Sequence, residues 1–77
     1  MNLYMAKKHI PLQITYVPNI GLLKSMGLRV GTTVAVQHRY AWGGPVLLNI
    51  DNAFLVAVGK DVAVQITAAQ SGGGHGA

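Results

Sequence analysis

The sequence predicts a small, mainly β domain: an antiparallel barrel of short strands with one short helix after the first strand. Three observations predict it. Apolar residues alternate with a period of two in several runs of five or six residues. Glycine and proline punctuate those runs at Gly27, Gly31, Gly43, Gly44 and Pro45. One segment, between Asn19 and Gly27, instead spaces its apolar residues as a helix does.

Seventy-seven residues make a single domain, and 51% of them are hydrophobic. A chain this short buries only about 60% of its unfolded surface, so the core has to be economical. It contains no cysteine, which excludes disulfides, thiolate zinc sites and a cysteine nucleophile together. The absence also suits a reducing cytosol.

The elements follow in chain order. Met1 to His9 is polar and basic and is expected to fray as a flexible terminus, residues 1–9, ahead of the domain at 10–69. Leu12 to Val17 alternates as a first strand, with Leu12, Ile14 and Tyr16 on one face, and Pro18 ends it. Asn19 is an N-cap candidate, since its side-chain oxygen can accept from free amides of the next turn. Leu22, Leu23 and Met26 then fall on one helical stripe, and Gly27 stops the helix by taking positive φ. A two-turn helix is not stable alone, so it must dock on the sheet.

Leu28 to Gly31 makes a tight turn, with Gly31 at the positive-φ position. Thr32 to Gln37 is a second strand with Val34 and Val36 inward. His38 to Gly44 is a polar-aromatic loop, and Pro45 opens the next strand, where a missing amide is tolerated. Val46 to Ile50 and Phe54 to Val58 form a hairpin. A three-residue loop, Asp51 to Ala53, pairs Ile50 with Phe54, Leu48 with Val56 and Val46 with Val58, which turns the larger apolar set inward. Leu47, Leu55 and Ala57 then point outward.

Gly59 to Asp61 is a turn, with room for a 3₁₀ piece through Ala63, and Val64 to Ala68 is the closing strand. Val-Ala-Val-Gln occurs at Val34–Gln37 and again at Val62–Gln65, which two alternating strands explain better than duplication. Residues 70–77 form a glycine-rich tail expected to be disordered. The sum is an SH3-like antiparallel β-barrel.

Chemistry is sparse. Asp51 and Asp61 both fall in turns and cannot form an acid–base pair, and no serine has a base nearby in sequence. Gly43-Gly44 lacks the lysine and helix of a phosphate loop. No catalytic residue is assigned, and no enzymatic activity is expected. His9, His38 and His75 have no paired ligand spacing, so no metal site and no cofactor are assigned.

Six basic residues against two acidic ones give a net charge of +4, scattered along the chain except for Lys7-Lys8. Solvation of the surface accounts for that pattern better than a nucleic-acid interface does, and nucleic acid is not the expected partner. No apolar run approaches the length of about 18 residues needed to cross a bilayer. Met1 to His9 has no apolar signal-peptide core.

The partner-binding candidates are Arg39, Tyr40 and Trp42, with outward Leu47 and Leu55 as an apolar patch on adjacent strands. Trp42, the only tryptophan, reads either as an interface anchor or as a plug folded over one barrel end.

Leu23-x-x-Met26-Gly27-Leu28-x-x-Gly31-Thr32-x-Val34-x-Val36, then Gly43-Gly44-Pro45-Val46, then Val56-Ala57-Val58-Gly59-Lys60-Asp61-Val62-Ala63-x-x-Ile66, resembles the ferrous iron transport protein A (FeoA-like) family. Order and spacing hold from about residue 12 to 68. Val30 stands where the family turn usually carries proline, and the hairpin is one residue longer. The resemblance implies an SH3-like barrel, a cytoplasmic location and an accessory role beside the GTP-hydrolysing ferrous iron permease, whose cytoplasmic part is the implied partner. A related domain ends iron- and manganese-dependent transcriptional repressors. With no room for a winged-helix DNA reader, this chain is expected to be free-standing. A metal-responsive module binding Fe2+ or another divalent ion directly, and a nucleic-acid-binding barrel, are the alternatives. Self-association as a homo-oligomer is compatible with each.

Overall fold

The computed structural model describes residues 1–70. Five strands form one antiparallel sheet: β1 (Leu12–Tyr16), β2 (Thr33–Arg39), β3 (Val46–Ile50), β4 (Phe54–Val58) and β5 (Thr67–Gln70), in the order β4-β3-β2-β1-β5. The sheet bends strongly in the SH3-like manner but does not close, so β4 and β5 are its edges. Leu12, Ile14, Val34, Val36, Val46, Leu48 and Ile50 line its inner face and are all buried.

The N-terminus corrects one expectation. It is docked, not frayed: Leu3–Met5 is a 3₁₀ turn, and Leu3, Tyr4 and Ala6 are buried in the core. Met1 and Ala68 exchange main-chain hydrogen bonds, and the Leu3 amide donates to Ile66 O at 2.9 Å, so the segment covers the β5 edge. It then crosses to β2, where the His9 amide donates to Val36 O at 2.8 Å. Sequence reasoning missed this because the apolar residues are few and their partners lie about sixty positions away. Of the tail expected over residues 70–77, Gln70 instead ends β5, where it pairs with Leu12, and residues 71–77 lie outside the described residues.

The helix α1 (Gly21–Ser25) begins after Ile20, so Asn19 does not cap it. At five residues it presents one narrow stripe. Leu23 is buried and Met26 half-buried, whereas Leu22 faces solvent, against the expected three-residue stripe. Its end is well built. Gly27 has φ +87, its amide donates to Lys24 O, and the Leu28 amide reaches back to Leu23 O at 2.9 Å. These are the two hydrogen bonds of a Schellman motif, with buried Leu23 and Leu28 supplying its apolar contact. The turn that follows is Arg29–Thr32, with Gly31 at φ +95.

The β3–β4 hairpin has the register that burial favoured: Ile50 opposite Phe54, Leu48 opposite Val56 and Val46 opposite Val58. Asp51 and Asn52 take the left-handed conformation at its tip. The burial expected of β4 is only half realised. Val58 is buried and Val56 half-buried, but Phe54 is 65% exposed. As an edge strand β4 has nothing beyond it, and Phe54 lines an open groove of about 490 Å3 with Met26, Ile50 and Val56.

Lys60–Ala63 forms a second short helix, α2, which delays the closing strand to Thr67. The second Val-Ala-Val-Gln is therefore helix end and turn, while the first is strand. A register shift between Ile14 and Tyr16 turns Tyr16 outward from the face it was expected to share.

Candidate functional site

The loop between β2 and β3 is shorter than the sequence indicated, because β2 continues through His38 and Arg39. A β-bulge explains where the side chains go. Val36 pairs with Leu48, but His38 pairs with Leu47 and Arg39 with Val46, which leaves Gln37 as the extra residue. Unbroken alternation would set His38 inward beside Val36. The bulge reverses the order, so that Arg39 shares a rung with buried Val46 and His38 shares one with outward Leu47.

Arg39 is consequently half-buried and engaged. Its Nε donates to Tyr4 O and an Nη donates to Ala6 O, so its guanidinium clasps the N-terminal segment. Its Cζ lies 5.7 Å from the Tyr4 ring centroid, and Lys60 Nζ lies 5.4 Å from the same point. Tyr4 Oη donates to Gly44 O at 3.3 Å. The N-terminal segment thus supports the loop from beneath. Neither Tyr4 nor Lys60 was among the expected partner-binding residues; Lys60 lies in the motif that carries the family resemblance, and no local pattern marks Tyr4.

Above that base the loop is tight. The Tyr40 amide donates to Pro45 O at 3.0 Å and the Gly44 amide to Ala41 O at 3.2 Å. A Cβ at Gly44 would lie 2.9 Å from Tyr40 Cβ and 3.1 Å from Ala41 O, so only glycine permits this closure. Trp42 and Gly43 both have positive φ, at +63 and +73. Trp42 is fully exposed at 101% and does not plug the barrel end. Tyr40 is partly exposed and its ring meets His38 edge-on, with centroids 4.4 Å apart.

Of the five residues expected to bind a partner, Tyr40 and Trp42 share this loop, and half-buried Leu47 lies beside its base. Arg39 is turned beneath it. Leu55 is 62% exposed but sits two rungs further along the β3–β4 ladder, opposite Asn49. The structure therefore divides the expected surface into an aromatic loop and a separate apolar edge. Among the described residues no group of three or more His, Cys, Asp or Glu is placed to hold a metal ion. No helix among them is long and apolar enough to cross a membrane.

The sequence model of the FeoA domain matches residues 1–69. The chain belongs to the FeoA family. Family membership implies a role in ferrous iron transport, and the match includes the N-terminal segment that completes the core. Solved structures agree on the fold. An FeoA protein from Chlorobium tepidum superposes with TM-score 0.83 at 23% identity, over 97% of this chain and 74% of that one. Iron(II) transport protein A from Clostridium thermocellum gives TM-score 0.83 at 23% identity, over 95% of this chain and 47% of that one. A manganese-dependent transcriptional repressor gives 0.78 at 18% identity, over 92% of this chain and 41% of that one. No curated protein matches the sequence.

Proposed function

We propose that this FeoA-family chain is a cytoplasmic adaptor that binds the cytoplasmic part of the GTP-hydrolysing ferrous iron permease and modulates it, with Tyr40 and Trp42 as the contact. The observation that carries the reading is Trp42 itself. The largest side chain of the protein is fully solvated and held at positive φ, where a bulky residue is strained. Neither state benefits the isolated fold, and such strain is typical of positions kept for binding. A rigid aromatic on a braced loop loses little entropy on docking and is the kind of anchor that dominates interfaces. Neither a metal-responsive role nor a nucleic-acid role has a comparable arrangement behind it among the described residues.

The test is direct binding to purified permease. Trp42 is the only tryptophan in the chain, so its emission should shift to the blue when the full chain is titrated with permease whose own contribution is subtracted. GTP hydrolysis should change in the same concentration range. Trp42→Ala should weaken binding at least tenfold. No association of the wild-type chain at high micromolar concentration would overturn the reading.

A further inference from the structure

Two cations stand at the loop that carries Trp42, and neither has an acidic partner among the described residues. The Arg39 guanidinium and the Lys60 ammonium lie 5.7 and 5.4 Å from the centroid of one ring, that of buried Tyr4. Arg39 donates to main-chain carbonyls, which leave its charge uncompensated. Lys60 is exposed, and its Nζ lies 4.0 Å from where a Cβ on Gly43 would stand, next to Trp42. The chain has two acidic side chains. Asp61 follows Lys60 but turns back, with its Oδ1 2.9 Å from where a Cβ on Gly59 would stand. Asp51 lies beyond the far end of β3, which starts at Val46 beside the loop and ends at Ile50. Among the described residues neither carboxylate comes within 4.0 Å of a basic nitrogen.

We infer that the partner surface docking against Trp42 is acidic, with an Asp or Glu carboxylate placed to meet Lys60. This rests on the permease reading and gives that surface its chemistry: a pocket for an aromatic ring, bordered by negative charge. A surface lysine is ordinarily a flexible, strongly hydrated point charge. Lys60 differs. Its Cδ lies 3.8 Å from the same Gly43 position, and its ammonium rests over a ring fixed in the core. The charge is therefore held beside Trp42 before any partner arrives, and less side-chain freedom remains to be lost on docking. Arg39 adds a second positive charge beneath the loop, while its fork is directed to Tyr4 and Ala6 and leaves the partner's carboxylate to Lys60. Neighbouring like charges attract an acidic surface and reject a basic one. Because Lys60 is open to water at the rim of the contact, its effect falls on the rate of encounter more than on the lifetime of the complex.

Stopped-flow association of the full chain with purified permease, followed by Trp42 emission, is the test. Between about 0.01 and about 1 M salt the screening length falls from about 30 to about 3 Å, and the wild-type association rate should fall about tenfold or more. Lys60→Glu should slow association about fivefold at low salt, match wild type at high salt and leave dissociation within about twofold. Lys60→Arg keeps the charge and should keep the rate. Lys24→Glu makes the same change in net charge near the other end of β2, where Lys24 and Arg29 line a cavity ahead of the Gly31 turn, and should change the rate less than about twofold. Equal slowing by both charge reversals would overturn the inference, since net charge alone would then explain it. Binding that needs Trp42 but ignores salt and Lys60→Glu would also overturn it, and would leave the permease reading standing. A wild-type chain that does not bind at all would overturn both.

Discussion

The Arg39 guanidinium donates to the main-chain carbonyl of Tyr4, across 35 positions of sequence, and through that contact fastens the N-terminus beneath the loop that presents Trp42. Charged donors to carbonyl groups are among the stronger hydrogen bonds in proteins. Arg39 makes two of them, to Tyr4 and Ala6. Arg39→Met should cost about 2 kcal/mol in urea denaturation, since both carbonyls lose a charged donor. Lysine at the same position cannot reproduce the fork and should recover only part of the loss. Hydrogen exchange should rise first at Leu3 to Ala6, and an unchanged pattern there would remove the clasp from the account.

Docking of the N-terminus has a second consequence. Leu3 is 0% exposed, whereas Met5, two residues on, faces solvent. Leu3→Ala should destabilise the domain by about 2–5 kcal/mol through lost burial and a residual cavity. Met5→Ala should stay within about 0.5 kcal/mol. A frayed terminus would make the two variants equivalent.

These contacts mark the limit of what could be read from the sequence. The β3–β4 register was legible, because a one-residue slip would have moved every apolar side chain to the wrong face. Gly27 was legible as a helix stop because few residues tolerate its φ. The Gln37 bulge was not legible, since Gln37, His38 and Arg39 are all polar and so mark the end of a strand and the start of a loop, not a bulge within a strand that continues. Arg39 was read as a surface residue for that reason. Val-Ala-Val-Gln makes the same point from another side: its two copies adopt a strand and a helix end, so tertiary context decided between them. Trp42 was legible as a candidate through composition, but only the loop geometry shows that its ring is not folded back over the barrel end.

Asn49 offers an opportunity for stabilisation. It lies on the interior strand β3, between Ala35 and Leu55, and its Oδ1 is buried with no hydrogen-bond partner. Asn49→Val removes that unsatisfied acceptor and adds a residue suited to strands. The variant should gain about 1 kcal/mol, read as a higher urea midpoint with unchanged slope.

Two glycines separate close approach from conformational freedom. At Gly44 a methyl group would collide with the loop's own main chain, whereas at Gly21, on α1, nothing lies within 4 Å. Gly44→Ala should lose about 1–3 kcal/mol and loosen the Tyr4 contact. Gly21→Ala, in a helix, should gain about 0.5–1 kcal/mol. Equal effects would show that the loop relaxes around the added carbon.

Trp42 sets stability against binding in a single residue. A non-glycine residue in the left-handed region costs roughly 1–2 kcal/mol, and a fully exposed side chain makes no packing contribution to offset it. Trp42→Gly should therefore raise stability by about 1 kcal/mol, while Trp42→Ala, which keeps a Cβ, should change it little. Both variants should lose permease affinity at least tenfold, because they lack the same aromatic anchor. The two measurements are independent. A Trp42→Gly protein that is less stable than wild type would show that the ring packs on the domain in solution. One that is more stable and binds normally would remove Trp42 from the interface and leave the strain without a use.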